Sequence, residues 1–170
     1  MKLSNKIKEI YHKYLMKKTM SLNEYRIPSD YKETSTQFIN NKNISSSTKY
    51  IIWVDTKNFQ TNIFSGSKNN WKLIKNYACS IGKPSTPTPS GTFKVGAKGY
   101  YFGKNHGYIC YYYTQFKGNY LFHSIIYNLD NTIRDGRLGM KISDGCVRLA
   151  KNNAKWIYDN IPYGTTVYIN

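Results

Sequence analysis

The sequence predicts a mainly β domain, sandwich-like or barrel-like, with one late helix and a short helical extension at its N-terminal end. Three observations predict it. From Tyr50 onward the chain breaks into short β-branched and aromatic runs, and its 170 residues include 17 tyrosines. Such residues suit a pleated, half-buried surface better than a helical bundle. Turn residues separate the runs, most firmly at Pro87 and Pro89, where proline fixes φ and excludes helix. Only Ala150 to Ile161 has helical spacing in this half, and 170 residues suffice for one cored domain plus an extension.

Residues 3–18 set Leu3, Ile7, Ile10, Tyr11, Tyr14 and Leu15 at near-helical spacing, with Lys2, Lys6, Lys8, Lys13, Lys17 and Lys18 among them. Such a helix either docks on the main domain, binds a partner or lies on an anionic membrane. Residues 28–48, rich in Ser, Thr, Asn and Lys, read as a linker. The division expected is therefore a basic helix and polar linker over 1–48 and a domain over 49–170. Tyr50–Val54 is a buried strand, with Phe59–Phe64 its hairpin partner across Asp55-Thr56-Lys57-Asn58. Trp71–Ile81 is a longer strand ending at Gly82, and Thr92–Val95 follows the proline-rich turn. Aromatic runs at Tyr100–Phe102, Tyr108–Tyr113 and Tyr120–Phe122 are further strands, and some of these tyrosines are candidates for lining a substrate groove. The late helix aligns Ala150, Ala154, Ile157 and Ile161 on one face before Pro162 stops it.

A net charge of +16 attracts polyanions. Nucleic acid is not the expected partner, because no RNA-binding aromatic motif or Cys/His zinc cluster accompanies the charge. No cluster has zinc spacing, so neither metal nor cofactor is expected. No run of 18 apolar residues predicts a membrane span, and no 7–15-residue apolar stretch follows the charged start as in a signal peptide. Cys79 and Cys110 sit in apolar strand-like runs and read as buried thiols, with a bridge between them left open because it needs a matched geometry. Of the three histidines, His106 lies in a glycine-flanked loop and His12 in the basic N-terminal stretch.

The chemistry concentrates in Ser143-Asp144-Gly145-Cys146-Val147-Arg148-Leu149. His123, in Leu121-Phe122-His123-Ser124, stands 23 positions before Cys146 (146 minus 123). A thiol needs a base or a cation to react as thiolate at neutral pH, and histidine is the usual partner. Gly145 leaves room for backbone N–H groups to face an oxyanion. Arg148 either holds a substrate carboxylate or braces the loop. This pattern reads as acyl transfer through a cysteine thioester.

The segment resembles the motif of the YkuD-type L,D-transpeptidases, a histidine, a spacer, then Ser/Thr-His-Gly-Cys-apolar-Asn/Arg. The resemblance covers residues 49–170. Gly82 through Phe93 are similar to the family's Thr-Pro-x-Gly-x-Phe turn, and Gly164-Thr165-Thr166-Val167-Tyr168-Ile169 to its closing strand. Asp144 departs from the pattern, standing where a second histidine is usual, and the spacer is long. The resemblance implies the family fold, with Cys146 as nucleophile, His123 as base and the Ser124 carbonyl orienting the imidazole. It implies oxyanion donors at Gly145 and Cys146, with Ser143 and Asp144 shaping the loop. Asp144 should turn away from sulfur, held by a cation such as Arg148 or by loop N–H groups. The implied reaction is a 3→3 crosslink between peptidoglycan stem peptides, or L,D-carboxypeptidase cleavage when water is the acceptor. A monomer at the cell wall, near anionic wall polymers, is the setting implied. A sortase-like cysteine transpeptidase and a non-catalytic wall-binding module are the alternatives. Sortases carry Thr-Leu-x-Thr-Cys with histidine much further upstream, and retention of both His123 and Cys146 argues against a dead module.

Overall fold

Ile51 and Trp53 point to one side of their strand and Ile52 and Val54 to the other. All four are buried in the computed structural model, which describes residues 29–170. A strand covered on both faces reads as a continuous apolar run, as Tyr50–Val54 does. This strand, β1 (Tyr50–Asp55), pairs antiparallel with β2 (Gln60–Ser67), which pairs antiparallel with β3 (Asn70–Gly82). Ile52, Val54 and Ile63 join the main core, while Ile51, Trp53, Phe64 and Trp71 form a second cluster on the opposite face.

That second face is closed by a helix where a linker was expected. Helix α1 (Tyr31–Asn41) falls inside residues 28–48 and buries Tyr31, Ser35 and Ile39, one residue per turn. Phe38 stacks on Trp53 with ring centroids 4.3 Å apart. The Asn40 amide bridges to the Trp71 backbone at 2.7 and 3.0 Å. The stripe is too narrow and its surroundings too polar to stand out as periodicity, so packing supplies what propensity does not. The helix expected over 3–18 lies outside the described residues.

The remaining strands are β4 (Gly91–Lys94), β5 (Lys98–Phe102), β6 (Ile109–Lys117), β7 (Tyr120–Ser124), β8 (Ile126–Tyr127), β9 (Ile133–Asp135), β10 (Lys141–Ser143), β11 (Val147–Leu149) and β12 (Thr166–Ile169). The 12-stranded sheet runs β4-β12-β1-β2-β3-β11-β7-β6-β8-β9, with β5 on β6 and β10 on β3. Every strand expected from sequence is present and the fold is mainly β. Strands β8 to β11 are only two or three residues long and carry no alternation of their own. The late helix, α2 (Lys151–Asn160), buries Ala154 and Ile157 against the main core, with Ile161 just beyond it. Lys98 Nζ donates to the carbonyls of Tyr158 and Ile161, which the helix end leaves open, and to that of Ile157, which also accepts from the Ile161 amide. Cys79 and Cys110 are buried free thiols. No helix among the described residues is long and apolar enough to cross a membrane.

Candidate active site

Strand β11 lies parallel to β7, and this pairing joins the two chemical segments. Val147 stands opposite Phe122 and Arg148 opposite His123, which sets Cys146, just before β11, beside Leu121 and two positions from the level of His123. Both line one cavity of about 300 Å³, together with Phe102, Tyr108, Cys110 and Arg134. His123 is buried, and its Nδ1 lies 2.6 Å from Ser124 O. A carbonyl only accepts, so Nδ1 carries the proton and Nε2 is left as the acceptor. The Phe102 ring meets the imidazole edge-on, 5.2 Å between centroids, and holds its plane.

Both groups rest uncharged. Burial pushes His123 down to about 4, the Ser124 bond opposing and the Arg148 guanidinium adding to the fall. Burial also pushes the Cys146 thiol up, the Leu121 backbone opposing and the Asp144 carboxylate adding to the rise. The thiol lies 3.6 Å from Asn119 O, a weak contact. Desolvation of both groups favours proton transfer during attack over a resting thiolate–imidazolium pair.

The loop carrying Cys146 is braced from both sides. Ser143 Oγ donates to Cys146 O at 2.6 Å and accepts from the Gly145 amide at 3.2 Å. The Gly145 amide is thus occupied, and an oxyanion would have to compete with that hydroxyl for it. Gly145 has φ +110°, and a Cβ there would stand 2.4 Å from the Tyr120 ring. From the proline-rich turn, Thr88 Oγ1 donates to Gly145 O at 2.8 Å and accepts from the Gly82 amide at 2.9 Å. Thr86 Oγ1 donates to Ser143 O at 3.3 Å. Sequence reasoning used this turn for its shape and missed its two threonines as braces, although their alternation with proline was in plain view.

Asp144 faces outward, 82% exposed, with Lys83 Nζ 2.6 Å from its carboxylate. Hydrogen bonding and attraction from Lys83 hold its carboxyl below the ordinary value. The cation is therefore Lys83, not Arg148. Arg148 is buried and donates from Nη1 to Asp135 Oδ2 at 2.8 Å, while its Nε has no partner. Arg137 grips the same carboxylate at 2.9 and 3.0 Å. Burial would raise Asp135, but its hydrogen bonds from Arg137 and Arg148 win and keep it well below the usual carboxylate range. Asp135 and Arg134 were not among the residues picked from sequence. Arg148 braces through Asp135 and still lines the cavity. No group of His, Cys, Asp or Glu among the described residues could hold a metal ion.

The family model of the L,D-transpeptidase catalytic domain, YkuD, matches residues 49–169. The chain belongs to this family. It is 31% identical over 128 residues to YciB of Bacillus subtilis (strain 168), named as an L,D-transpeptidase, covering 70% of this chain and 66% of that protein. Among solved structures it resembles a fused Zn-dependent amidase/peptidase/peptidoglycan-binding domain-containing protein from Clostridium acetobutylicum ATCC 824. That match has 42% identity and a TM-score of 0.71, over 82% of this chain and 59% of the other. An L,D-transpeptidase from Mycobacterium smegmatis shares the fold at 21% identity and TM-score 0.55, over 72% and 58% of the two chains. The same holds for LdtMt1, solved in complex with imipenem, at 19% identity and TM-score 0.58 over 72% and 59%. The chain spans about two thirds or less of the length of these relatives. In this L,D-transpeptidase domain the cavity joins the motif residues to others that lie outside the motif, Phe102, Tyr108, Cys110 and Arg134 among them.

Proposed function

We propose that the protein is a peptidoglycan L,D-transpeptidase that forms 3→3 crosslinks from tetrapeptide stems through a thioester on Cys146. The observation that carries this reading is the buried His123, its Nδ1 held on Ser124 O and its Nε2 free, on the strand paired beside Cys146. Nε2 takes the thiol proton as sulfur attacks the carbonyl of the third stem residue. The C–S bond forms, the terminal D-alanine leaves as the C–N bond breaks, and the imidazolium returns its proton to that amine. The Cys146 amide, its peptide turned by Gly145, holds the oxyanion, a role worth about 3–4 kcal/mol per donor where measured. An amine on a neighbouring stem then displaces the thiol from the acyl group. Water in its place gives L,D-carboxypeptidase activity. The site needs no cofactor, and the enzyme works as a monomer at the wall.

Incubation with imipenem followed by intact-mass measurement tests this. One adduct is expected, mapped to Cys146, absent in Cys146→Ala and slowed about 100-fold or more in His123→Ala. An adduct on Cys79 or Cys110, or none at all, overturns the assignment. Tetrapeptide muropeptides should be converted and pentapeptides ending in D-Ala-D-Ala left intact. Preferential use of the pentapeptide would indicate D,D chemistry.

A further inference from the structure

Tyr112 has φ 55°, a left-handed conformation that a bulky side chain rarely adopts, in the middle of β6. Successive residues of a regular strand face opposite sides. Here the turn of the backbone brings the rings of Tyr111 and Tyr112 within 6.1 Å of each other, and both pack on Tyr100 of β5. Tyr100 meets Tyr111, Tyr112 and Tyr101 edge to face at 6.0, 5.2 and 6.1 Å. Tyr111 and Tyr112 are buried, whereas Tyr100 is 55% and Tyr101 44% exposed. Three lysines dress this cluster. Lys104 Nζ lies 4.3 Å from the Tyr101 ring centre, Lys151 Nζ 3.7 Å from Tyr111 and Lys155 Nζ 5.6 Å from Tyr112. Lys155 also pairs with Asp159. Lys104 and Lys151 have no acidic partner among the described residues.

The cluster adjoins the cavity on the same two strands. Phe102, two residues along β5 from Tyr100, and Cys110, next to Tyr111, both line it. We infer that Tyr100, Tyr101, Lys104 and Lys151 form a docking platform for an acidic glycan, the sugar backbone of the wall polymer whose stem peptide enters the cavity. This rests on the function proposed above and adds a second substrate contact outside the catalytic centre. The chemistry favours sugar over nucleic acid. Single-stranded nucleic acids use several free ring faces in succession. Here lysine ammoniums already cover Tyr101, Tyr111 and Tyr112, and among the described residues no cation lies over Tyr100. One bare ring beside pinned cations suits a pyranose with a neighbouring carboxylate, repeated along a chain.

The test is titration of the full chain with peptidoglycan strands stripped of stem peptides, which bear a carboxylate on alternate sugars. A neutral chitin oligomer and a single-stranded oligothymidylate of matched length serve as comparisons. The stripped glycan should bind about fivefold or more tightly than either. Tyr100→Ala with Lys151→Gln should weaken that binding about tenfold, a loss near 1.4 kcal/mol. Unchanged binding in the double variant, or equal or tighter binding of chitin or oligothymidylate, overturns the inference. Acylation by imipenem, followed in parallel, reports on Cys146 and His123 instead. Its failure would sink the proposed reaction, whereas failure of glycan binding alone would sink only the platform.

Discussion

At the scale of single residues the candidate site holds two uncharged groups. His123 is held at about 4 and the Cys146 thiol above its ordinary value, so in the proposed reaction the proton moves only as sulfur attacks. The acylation rate should then be flat between about pH 6 and 8 and fall as His123 protonates towards its folded value. A bell centred near neutrality in a stopped-flow profile would instead mean a preformed thiolate–imidazolium pair. Asp144 raises the thiol and is held by Lys83 with its side chain exposed, so the proposed reaction gives it no part in proton transfer. Asp144→Asn should keep most of the acylation rate, while Asp144→Ala and Lys83→Met should loosen the loop with little loss of rate. Abolished acylation in a folded Asp144→Asn protein would make Asp144 a catalytic member.

At the scale of elements, the proline-rich turn and the loop that carries Cys146 behave as one unit. Thr88 Oγ1 satisfies both the Gly82 amide and the Gly145 carbonyl, so Thr88→Val strands two buried groups while keeping the shape. A loss of about 1–3 kcal/mol is expected in denaturant unfolding, together with slower acylation. If stability fell but acylation did not, the turn would be a structural clasp alone. Gly145→Ala combines a φ of +110° with a 2.4 Å clash on Tyr120 and should cost the loop its working geometry. The resemblance to the family's turn was visible in residues 82–93, but the bonds from Thr86 and Thr88 reach Ser143 and Gly145, 57 positions away. No local pattern marks such a pairing.

For the molecule as a whole, two features set stability. Helix α1 closes the second core through Ile39, which is fully buried. Ile39→Ala should cost about 2–5 kcal/mol, measured by urea unfolding. A cost under half that range would mean the helix rests on the sheet without sealing it. The second feature is acid sensitivity. The folded pKa of His123 lies below its ordinary 6.5. The unfolded chain therefore takes up a proton that the folded one refuses. Stability is fully present above pH 6.5 and is lost as pH falls towards about 4, by up to about 3 kcal/mol for this group. Asp135, also depressed, withdraws its share at still lower pH. Unfolding midpoints that did not move between pH 7 and 5 would contradict the burial of a neutral imidazole.

Sequence by itself determined the mainly β class, the long strands and the late helix, and it singled out Cys146 and His123, which line one cavity. These follow from alternation, turn chemistry and the reactivity of side chains, all of which are local or carried by residue type. Tertiary structure alone decided that residues 31–41 form a docked helix, because Tyr31, Ser35 and Ile39 have a buried face only once β1 to β3 present one. It also decided that Arg148 meets Asp135, that Lys83 holds Asp144, and that strands of two or three residues exist at all. Each depends on a partner distant in the chain, and a contact leaves no periodic trace in the residues that make it.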